Sequence, residues 1–339
     1  MTAAVNESLR GDVSGGRRPD LQADGGRRDG RPPAELIRLV SEGHAVPFSK
    51  GILATTLTAT GLPPERAFAV AMEVEHQLLQ REDREVGVQI MREMVEVALE
   101  EMEGALYLER YRMWDALGKE DRPVIILVGG ATGVGKSTLA TQLMERLGLV
   151  RLISTDSIRE VMRAFFSPNL MPAIHFSSYD ADGAVRIPVG DQVDSHVTGF
   201  MEQVEMVNVG LQAVLTRAIE ERTSMVIEGV HIVPGMMNLR DISQNDALIL
   251  PTVVTVADPR LHRGHFLVRE RETSGRRAVM RYLKGFEDIR TIQDYVVGRA
   301  ETEGTLIVDN VSIDDAVRTV LEALYELIER SERRSDGEE

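Results

Sequence analysis

Hydrophobic positions beyond residue 120 alternate between short apolar runs and repeats at helical spacing. Residues 124–128 form a continuous apolar run, which is typical of a buried parallel strand. Apolar residues then repeat at helical spacing at Leu139, Leu143 and Leu147. Further strands are predicted at residues 152–154, 225–227, 253–257 and 305–308. Strands that alternate with helices predict an α/β fold, with a parallel sheet covered by helices on both faces.

A second pattern of helical periodicity lies before residue 112. Apolar spacing predicts helices at residues 53–60, 64–80 and 88–108. Three helices of this length need a small core of their own. We therefore predict a mainly helical domain over residues 34–112 and an α/β domain over residues 120–330.

Both ends of the chain lack the apolar residues that a core requires. Residues 1–33 are rich in Gly, Arg and Asp and have almost no large apolar side chains. Such a segment cannot bury enough surface to offset the entropy lost on ordering. Residues 331–339 have the same character, so we predict a disordered tail at each end.

The composition is acidic and contains no cysteine. There are 54 Asp and Glu residues against 39 Lys and Arg residues, which gives a formal net charge of −15. This charge argues against nucleic acid or an anionic membrane as a partner. The lack of cysteine excludes disulfides and thiolate chemistry. With no apolar run suited to a signal peptide or a membrane span, we expect a cytoplasmic protein of open oligomeric state.

Residues 130–138 carry the strongest chemical signal. Gly130, four further residues and then Gly135, Lys136 and Ser137 form a Walker A loop, placed between a predicted strand and a predicted helix. Backbone N–H groups would hold phosphates at the helix N-terminus, Lys136 would reach the β and γ oxygens, and Ser137 would ligate Mg²⁺. The sequence therefore predicts a P-loop NTPase-type sheet, with a site for ATP and Mg²⁺ at this loop. The predicted contact residues are Gly130, Ala131, Thr132, Gly133, Val134, Gly135, Lys136, Ser137 and Thr138.

Carboxylates follow each of the later predicted strands, at Asp156, Glu228, Asp258 and Asp309, at the edge where parallel sheets bind ligands. Asp156 could accept the proton of an attacking hydroxyl one strand over from the Walker loop, or simply cap the following helix. Glu228 could hold Mg²⁺ through water, or cap the next turn. His231 in that turn could contact substrate or be structural. With Lys136, Asp156 and Glu228 form the predicted catalytic set.

Residues 259–284 reverse the acidic balance of the chain. Eight Arg and Lys residues stand there against two Glu residues. A helical lid that closes over a triphosphate and an anionic acceptor would account for this. A basic solvated helix or an interface with the acidic N-terminal domain would also account for it. Arg277 and Arg281 share one helix face and, together with Arg159 one turn beyond Asp156, are predicted to bind the acceptor.

Several stretches of the second half resemble the 2-phosphoglycerate kinase family. They are GGATGVGKST at 129–138, ISTDSIREVM at 153–162, HFSSYD at 175–180, IEGVHIVPG at 227–235, HRGHF at 262–266 and RYLKGFEDIRTIQDY at 281–295. Members of that family also carry an ATP-cone-like segment with a PFSK motif before the kinase domain. The resemblance covers nearly the whole chain outside the two tails.

The resemblance implies transfer of the ATP γ-phosphoryl group to the C3 hydroxyl of 2-phosphoglycerate, giving 2,3-bisphosphoglycerate and ADP. A substrate with a carboxylate and a phosphate would explain the basic segment and Arg159. Ser178 and Tyr179 would add neutral hydrogen bonds, unless they form a plain surface turn. Two alternatives stay open: a P-loop kinase for another anionic alcohol, such as an inositol phosphate or a sugar acid, and an ATP-sensing regulatory protein.

The first domain resembles the ATP-cone, a regulatory nucleotide-binding module, at its PFSK motif and in its succession of helices. Lys50 is the phosphate ligand that this resemblance predicts. The basic first strand with which that family holds ATP is reduced here to residues 38–42. A nucleotide-sensing domain and a purely structural helical domain are both compatible with this pattern.

Overall fold

The structure is a computed structural model that divides into two compact units, Met1–Glu120 and Asp121–Glu339. It describes residues 37–41, 43–120, 122–185, 194–239, 247–273 and 276–335. The predicted N-terminal tail lies outside the described residues. The predicted C-terminal tail needs correction, because the last helix continues to Ser335. Within the described part of the chain, the helices lack the length and apolar character needed to cross a membrane.

The N-terminal unit combines a small sheet with helices. Its strands are β1 (Arg38–Ser41), β2 (His44–Pro47) and β3 (Glu85–Gly87), in the order β2-β1-β3. Its helices are α1 (Lys50–Thr58), α2 (Pro64–Leu79), α3 (Val88–Glu103) and α4 (Ala105–Glu120). The third predicted helix is in fact two helices, because Gly104 adopts φ +92° and interrupts the pattern.

The core of this unit lies between α2 and α3. Val70 and Val74 of α2 share one buried cluster with Val95 and Leu99 of α3, which places the apolar stripes of both helices in the interior. Lys50 forms an ion pair with Glu75 at 2.9 Å. The residue that the sequence predicts as a phosphate ligand therefore has an acidic partner inside its own unit.

The C-terminal unit contains a parallel sheet, which confirms the predicted α/β fold. Its strands are β4 (Val124–Gly129), β5 (Leu152–Ser154), β6 (Met225–Glu228), β7 (Leu248–Thr255) and β8 (Leu306–Asp309). Their order is β5-β6-β4-β7-β8, with each neighbouring pair parallel. Strand β7 begins earlier than predicted, since the strand continues through Pro251, which pairs in register with Leu127 of β4.

Helices connect these strands and flank the sheet. They are α5 (Lys136–Leu147), α6 (Thr155–Phe165), α7 (Ser195–Glu220), α8 (Pro259–Thr273), α9 (Arg276–Lys284), α10 (Phe286–Glu303) and α11 (Ile313–Ser335). Leu211 and Leu215 of α7 pack in one cluster with Ile125 and Leu127 of β4. The basic segment is helical, as predicted. The carboxyl ends of the strands therefore share one edge of the sheet, where the chain enters α5 and α6.

Candidate active site

A cleft of about 570 Å³ opens at the carboxyl edge of the large sheet. One part of its lining comes from residues 130–138, which we call the glycine loop. Another part, which we call the Asp156 cluster, consists of Asp156, Arg159, Ser177, Ser178 and Tyr179. Glu228 also lines the cleft. The structure thus brings together most of the site residues predicted from the sequence.

The glycine loop is held in place by three side chains. Its consecutive carbonyls accept hydrogen bonds as follows: Thr132 from His262 Nε2 at 2.8 Å, Gly133 from His265 Nδ1 at 3.1 Å, and Val134 from Asn310 Nδ2 at 2.9 Å. Because a carbonyl oxygen only accepts, each of these nitrogens must carry a hydrogen. With its acceptors engaged, the loop has backbone donors left for an anion.

Glycine is required at several positions of the loop, and two of these lie against the residues that support it. Gly133 and Gly135 adopt φ of +86° and +93°, in the left-handed region. A Cβ at Gly133 would overlap the ring of Phe266, and one at Gly135 would overlap the amide of Asn310. The loop can approach its supporting residues this closely only without side chains at these two positions.

Lys136, within the glycine loop, is the first residue of helix α5. It is buried, and its Nζ donates a hydrogen bond to the Ala131 carbonyl at 2.7 Å. Ser137 and Thr138 follow it, exposed and lining the cleft. Three further residues of the loop that the sequence predicts as contacts, Gly130, Ala131 and Val134, are buried and lie outside the cleft lining.

The ends of β4, β5 and β6 lie in line. Val128 pairs with Glu228, and Glu228 pairs with Ser154. Because β6 separates β5 from β4, Asp156 lies two strands from the glycine loop, which corrects the predicted separation of one strand. Glu228, on the intervening strand, is 9% exposed at the cleft.

Asp156 does not cap its helix. The N-cap of α6 is Ser154, whose Oγ accepts a hydrogen bond from the Asp156 N–H at 3.2 Å. The capping alternative is therefore wrong, and the Asp156 side chain is 59% exposed, with a carboxylate oxygen 3.4 Å from Arg159 Nε. Arg159 Nη1 donates to the carbonyls of Ile174 at 3.3 Å and Phe176 at 2.7 Å, which ties α6 to the segment that precedes Ser177.

Aromatic residues of the basic segment complete the lining. Phe266 and Tyr282 line the cleft and stack with ring centroids 5.2 Å apart. Tyr282 also meets Tyr179 edge to face at 5.9 Å, and burial raises the pKa of Tyr179. The sequence analysis missed Phe266, which lies in the HRGHF stretch, and Tyr282, which lies in the RYLKGF stretch. It assigned no role to the supports of the glycine loop, which are His262 and His265 of the HRGHF stretch and Asn310 just past the end of the last predicted strand.

Of the residues predicted to bind substrate, two lie outside the cleft lining, and the side chain of a third is not described. His231 is fully buried behind the cleft, with Nδ1 2.8 Å from Thr155 Oγ1 and Nε2 3.1 Å from Gln203 Oε1, so it does not make the predicted substrate contact. Burial lowers its pKa to about 3. Arg281 is exposed on α9 next to Tyr282 but outside the cleft lining. The Arg277 side chain lies outside the described residues.

The chain is similar to several known proteins. A family profile described as an AAA domain matches residues 125–289. The chain is 36% identical over 298 residues to a 2-phosphoglycerate kinase of Methanopyrus kandleri, covering 88% of this chain and 89% of that protein. It is 38% identical over 283 residues to that of Methanothermobacter thermautotrophicus, covering 83% and 91%. A solved gluconokinase from Sinorhizobium meliloti 1021 aligns to 63% of this chain and 98% of its own, with 16% identity and a TM-score of 0.37.

Proposed function

The chain belongs to the 2-phosphoglycerate kinase family, and on this basis we propose that it transfers the ATP γ-phosphoryl group to the C3 hydroxyl of 2-phosphoglycerate. The products are 2,3-bisphosphoglycerate and ADP. One observation carries the proposal: the glycine loop, Glu228 and the Asp156 cluster surround a single cleft of about 570 Å³. Direct transfer requires that the phosphate donor site and the acceptor site open into the same cleft.

The glycine loop is the proposed ATP site. Its backbone N–H groups bind the phosphates at the N-terminus of α5, where the helix dipole favours an anion. Lys136 leaves its bond to the Ala131 carbonyl and turns its ammonium group to the β and γ oxygens. There it stabilises the charge that develops as the γ-phosphoryl group departs.

Ser137 and Glu228 are the proposed Mg²⁺ ligands, the carboxylate through water. Both line the cleft, and both offer the hard oxygen atoms that Mg²⁺ prefers. Within the described residues, the Glu228 carboxylate forms no hydrogen bond or ion pair with protein, although it is 9% exposed. A cation therefore suits this position. When bound, Mg²⁺ would supply charge neutralisation at the phosphate oxygens.

Asp156 is the proposed base. The C3 hydroxyl gives its proton to the Asp156 carboxylate, its oxygen bonds to the γ-phosphorus, and the bond from phosphorus to the ADP oxygen breaks. Arg159, Ser178 and Tyr179 bind the carboxylate and phosphate of the acceptor, with Arg277 and Arg281 adding positive charge from α9. The Arg159 guanidinium is already oriented by two backbone carbonyls.

The test is ADP release by the full chain with Mg-ATP and 2-phosphoglycerate, with the product identified by mass. Turnover to the bisphosphate is expected, and Asp156→Asn should abolish most of it. A panel of inositol phosphates and sugar acids runs in parallel. Turnover with one of those alone would retain the kinase and reassign its acceptor. No turnover with any acceptor would leave an ATP-sensing protein as the better description.

For residues 34–112 we propose a structural role rather than a second nucleotide site. The pairing of Lys50 with Glu75 at 2.9 Å supports this, because the predicted phosphate ligand already neutralises an acidic side chain. Equilibrium dialysis should find one ATP bound per wild-type chain. Two bound ATP molecules, one of them lost in Lys50→Ala, would establish a nucleotide site in this domain.

A further inference from the structure

A line of buried polar side chains runs behind the Asp156 cluster. Gln203 of α7 is fully buried, and its Nε2 donates to the carbonyls of Ala173 at 2.6 Å and Phe176 at 3.1 Å. Because carbonyl oxygens only accept, the amide nitrogen must face them. The Gln203 side chain therefore has one possible orientation, with Oε1 directed away from this segment.

That orientation fixes the proton on the next residue. Gln203 Oε1 lies 3.1 Å from His231 Nε2 and can only accept, so Nε2 carries the hydrogen. His231 stays neutral because burial lowers its pKa to about 3, which leaves Nδ1 as an acceptor. The Thr155 hydroxyl, 2.8 Å away, must then donate to Nδ1. The chain of donors runs in one direction, from Thr155 through His231 and Gln203 to two backbone carbonyls.

The two ends of this chain lie beside groups of the cleft. Thr155 immediately precedes Asp156, and the Phe176 carbonyl immediately precedes Ser177. The Phe176 carbonyl oxygen also accepts a hydrogen bond from Arg159 at 2.7 Å. Arg159, which lines the cleft, and Gln203 therefore donate to the same oxygen. Gly229, at φ +151°, leaves room for the Thr155 hydroxyl, which a Cβ at that position would overlap.

Burial alone does not explain these three residues. Replacing a buried hydrogen-bonded pair by apolar groups of the same shape is often neutral for stability, so polar side chains are not needed to fill this space. What apolar groups could not do is fix the orientation of segment 173–179 relative to α6. Errors of about 1 Å in such an arrangement can cost about a hundredfold in rate.

We propose that Thr155, His231 and Gln203 are positioning residues that hold segment 173–179 at the distance from Asp156 that the acceptor requires. The proposal rests on the proposed function for its choice of acceptor. It assigns these residues to acceptor binding, apart from the ATP site, whose supports are His262, His265 and Asn310. It also gives His231 a role that does not involve contact with substrate.

The first test compares Thr155→Val, which removes the hydroxyl and keeps the shape, with Thr155→Ser, which keeps the hydroxyl. Steady-state kinetics of the full chain should show the KM for 2-phosphoglycerate raised about tenfold in Thr155→Val, as expected for one lost buried hydrogen bond. The KM for ATP should stay within about twofold, since the ATP site keeps all its contacts. Thr155→Ser should restore the acceptor KM.

A second measurement does not need turnover. Hydrogen exchange of the amides in segment 173–180 should be about tenfold faster in Thr155→Val, by loss of the same hydrogen bond. Exchange at Leu139, whose N–H donates to Gly135, should not change. If Thr155→Val fails to fold, Gln203→Met takes its place. This variant interrupts the line of hydrogen bonds at its other end and should give the same pattern.

The outcomes separate the two proposals. Unchanged exchange in segment 173–180, or equal rises in the KM of ATP and acceptor, would overturn the positioning role. A wild-type chain that turns over no 2-phosphoglycerate would contradict the proposed function instead. The exchange data would in that case still decide whether the three residues hold the segment in place.

Discussion

The glycine loop and the Asp156 cluster line the same cleft, but they present different kinds of groups to it. The loop offers backbone donors from consecutive residues and the side chain that follows them. The Asp156 cluster offers side chains from two segments, and behind it hydrogen bonds join residues 76 and 28 positions apart in the chain. A site made of backbone can be recognised from a short motif, whereas a site made of side chains depends on contacts that no short stretch contains.

Among the substitutions that test this comparison, the largest effect is expected in the glycine loop. Lys136→Ala should lower kcat by about a thousandfold, because it removes a preorganised cation from the developing charge. ADP release at saturating substrates measures this. Arg217→Ala removes a cation that is 76% exposed on α7 and should leave kcat within about twofold. A Lys136→Ala enzyme with a near-normal kcat would show that the backbone donors act alone.

Asp156→Asn tests the other side of the cleft. It should lower kcat by about a hundredfold while the KM for ATP stays unchanged, since the amide keeps the shape but cannot take the proton. Glu160→Gln is the matched control, because Glu160 lies on the same helix and near Arg159, at 3.5 Å, but outside the cleft lining. Full activity in Asp156→Asn would show that Asp156 is not the base.

A smaller effect is expected from the charge around the acceptor. Arg281→Ala should raise the KM for 2-phosphoglycerate by about threefold, since Arg281 is exposed and acts across solvent rather than within the cleft lining. The KM for ATP should not change. Lys284→Ala, on the same helix, provides the comparison. Equal shifts in both variants would show that Arg281 has no effect on the acceptor beyond the general positive charge of α9.

A final effect, on stability rather than on rate, concerns two buried histidines, one behind each side of the cleft. Burial lowers the pKa of His231 to about 3 and that of His262 to about 4, from an ordinary value of 6.5. Below pH 6.5 the unfolded chain takes up protons at these residues and the folded chain does not, so the free energy of unfolding falls as the pH drops from 6.5 towards 4.

Each histidine should contribute up to about 1.4 kcal/mol per pH unit to that slope, a limit approached about one pH unit below the ordinary pKa, where the unfolded chain is almost fully protonated. Denaturant unfolding between pH 6.5 and 5 measures it. His231→Gln and His262→Gln should each reduce the slope by this amount, whatever their effect on stability at neutral pH. A variant with the wild-type slope would show that its histidine binds protons equally in the folded and unfolded chains.

Local patterns in the sequence predict the parts of this structure that depend on neighbours along the chain. The apolar run of β4, the helical spacing of α5 and the Walker loop between them all appear as expected. So do the helices of the basic segment and the short strand β5. In each case the signal and the structure occupy the same residues.

What the sequence did not predict depends on the third dimension. Strand order decides that Asp156 lies two strands from the glycine loop, and no local pattern encodes that order. His231 looks like an accessible residue in a turn after a strand, yet packing around Gln203 buries it completely. His262 and Asn310 come from distant elements, and their hydrogen bonds to the loop span 130 and 176 residues.

The three side-chain hydrogen bonds to the glycine loop have a consequence for how ATP associates. The loop takes its shape when the chain folds, so the entropy of ordering it is lost then and not at each encounter with nucleotide. Association should therefore resemble the docking of two rigid bodies, with a heat capacity change set by the buried surface alone. Removing the Asn310 amide would move part of that ordering into the binding step, where calorimetry would detect it as a less favourable binding entropy.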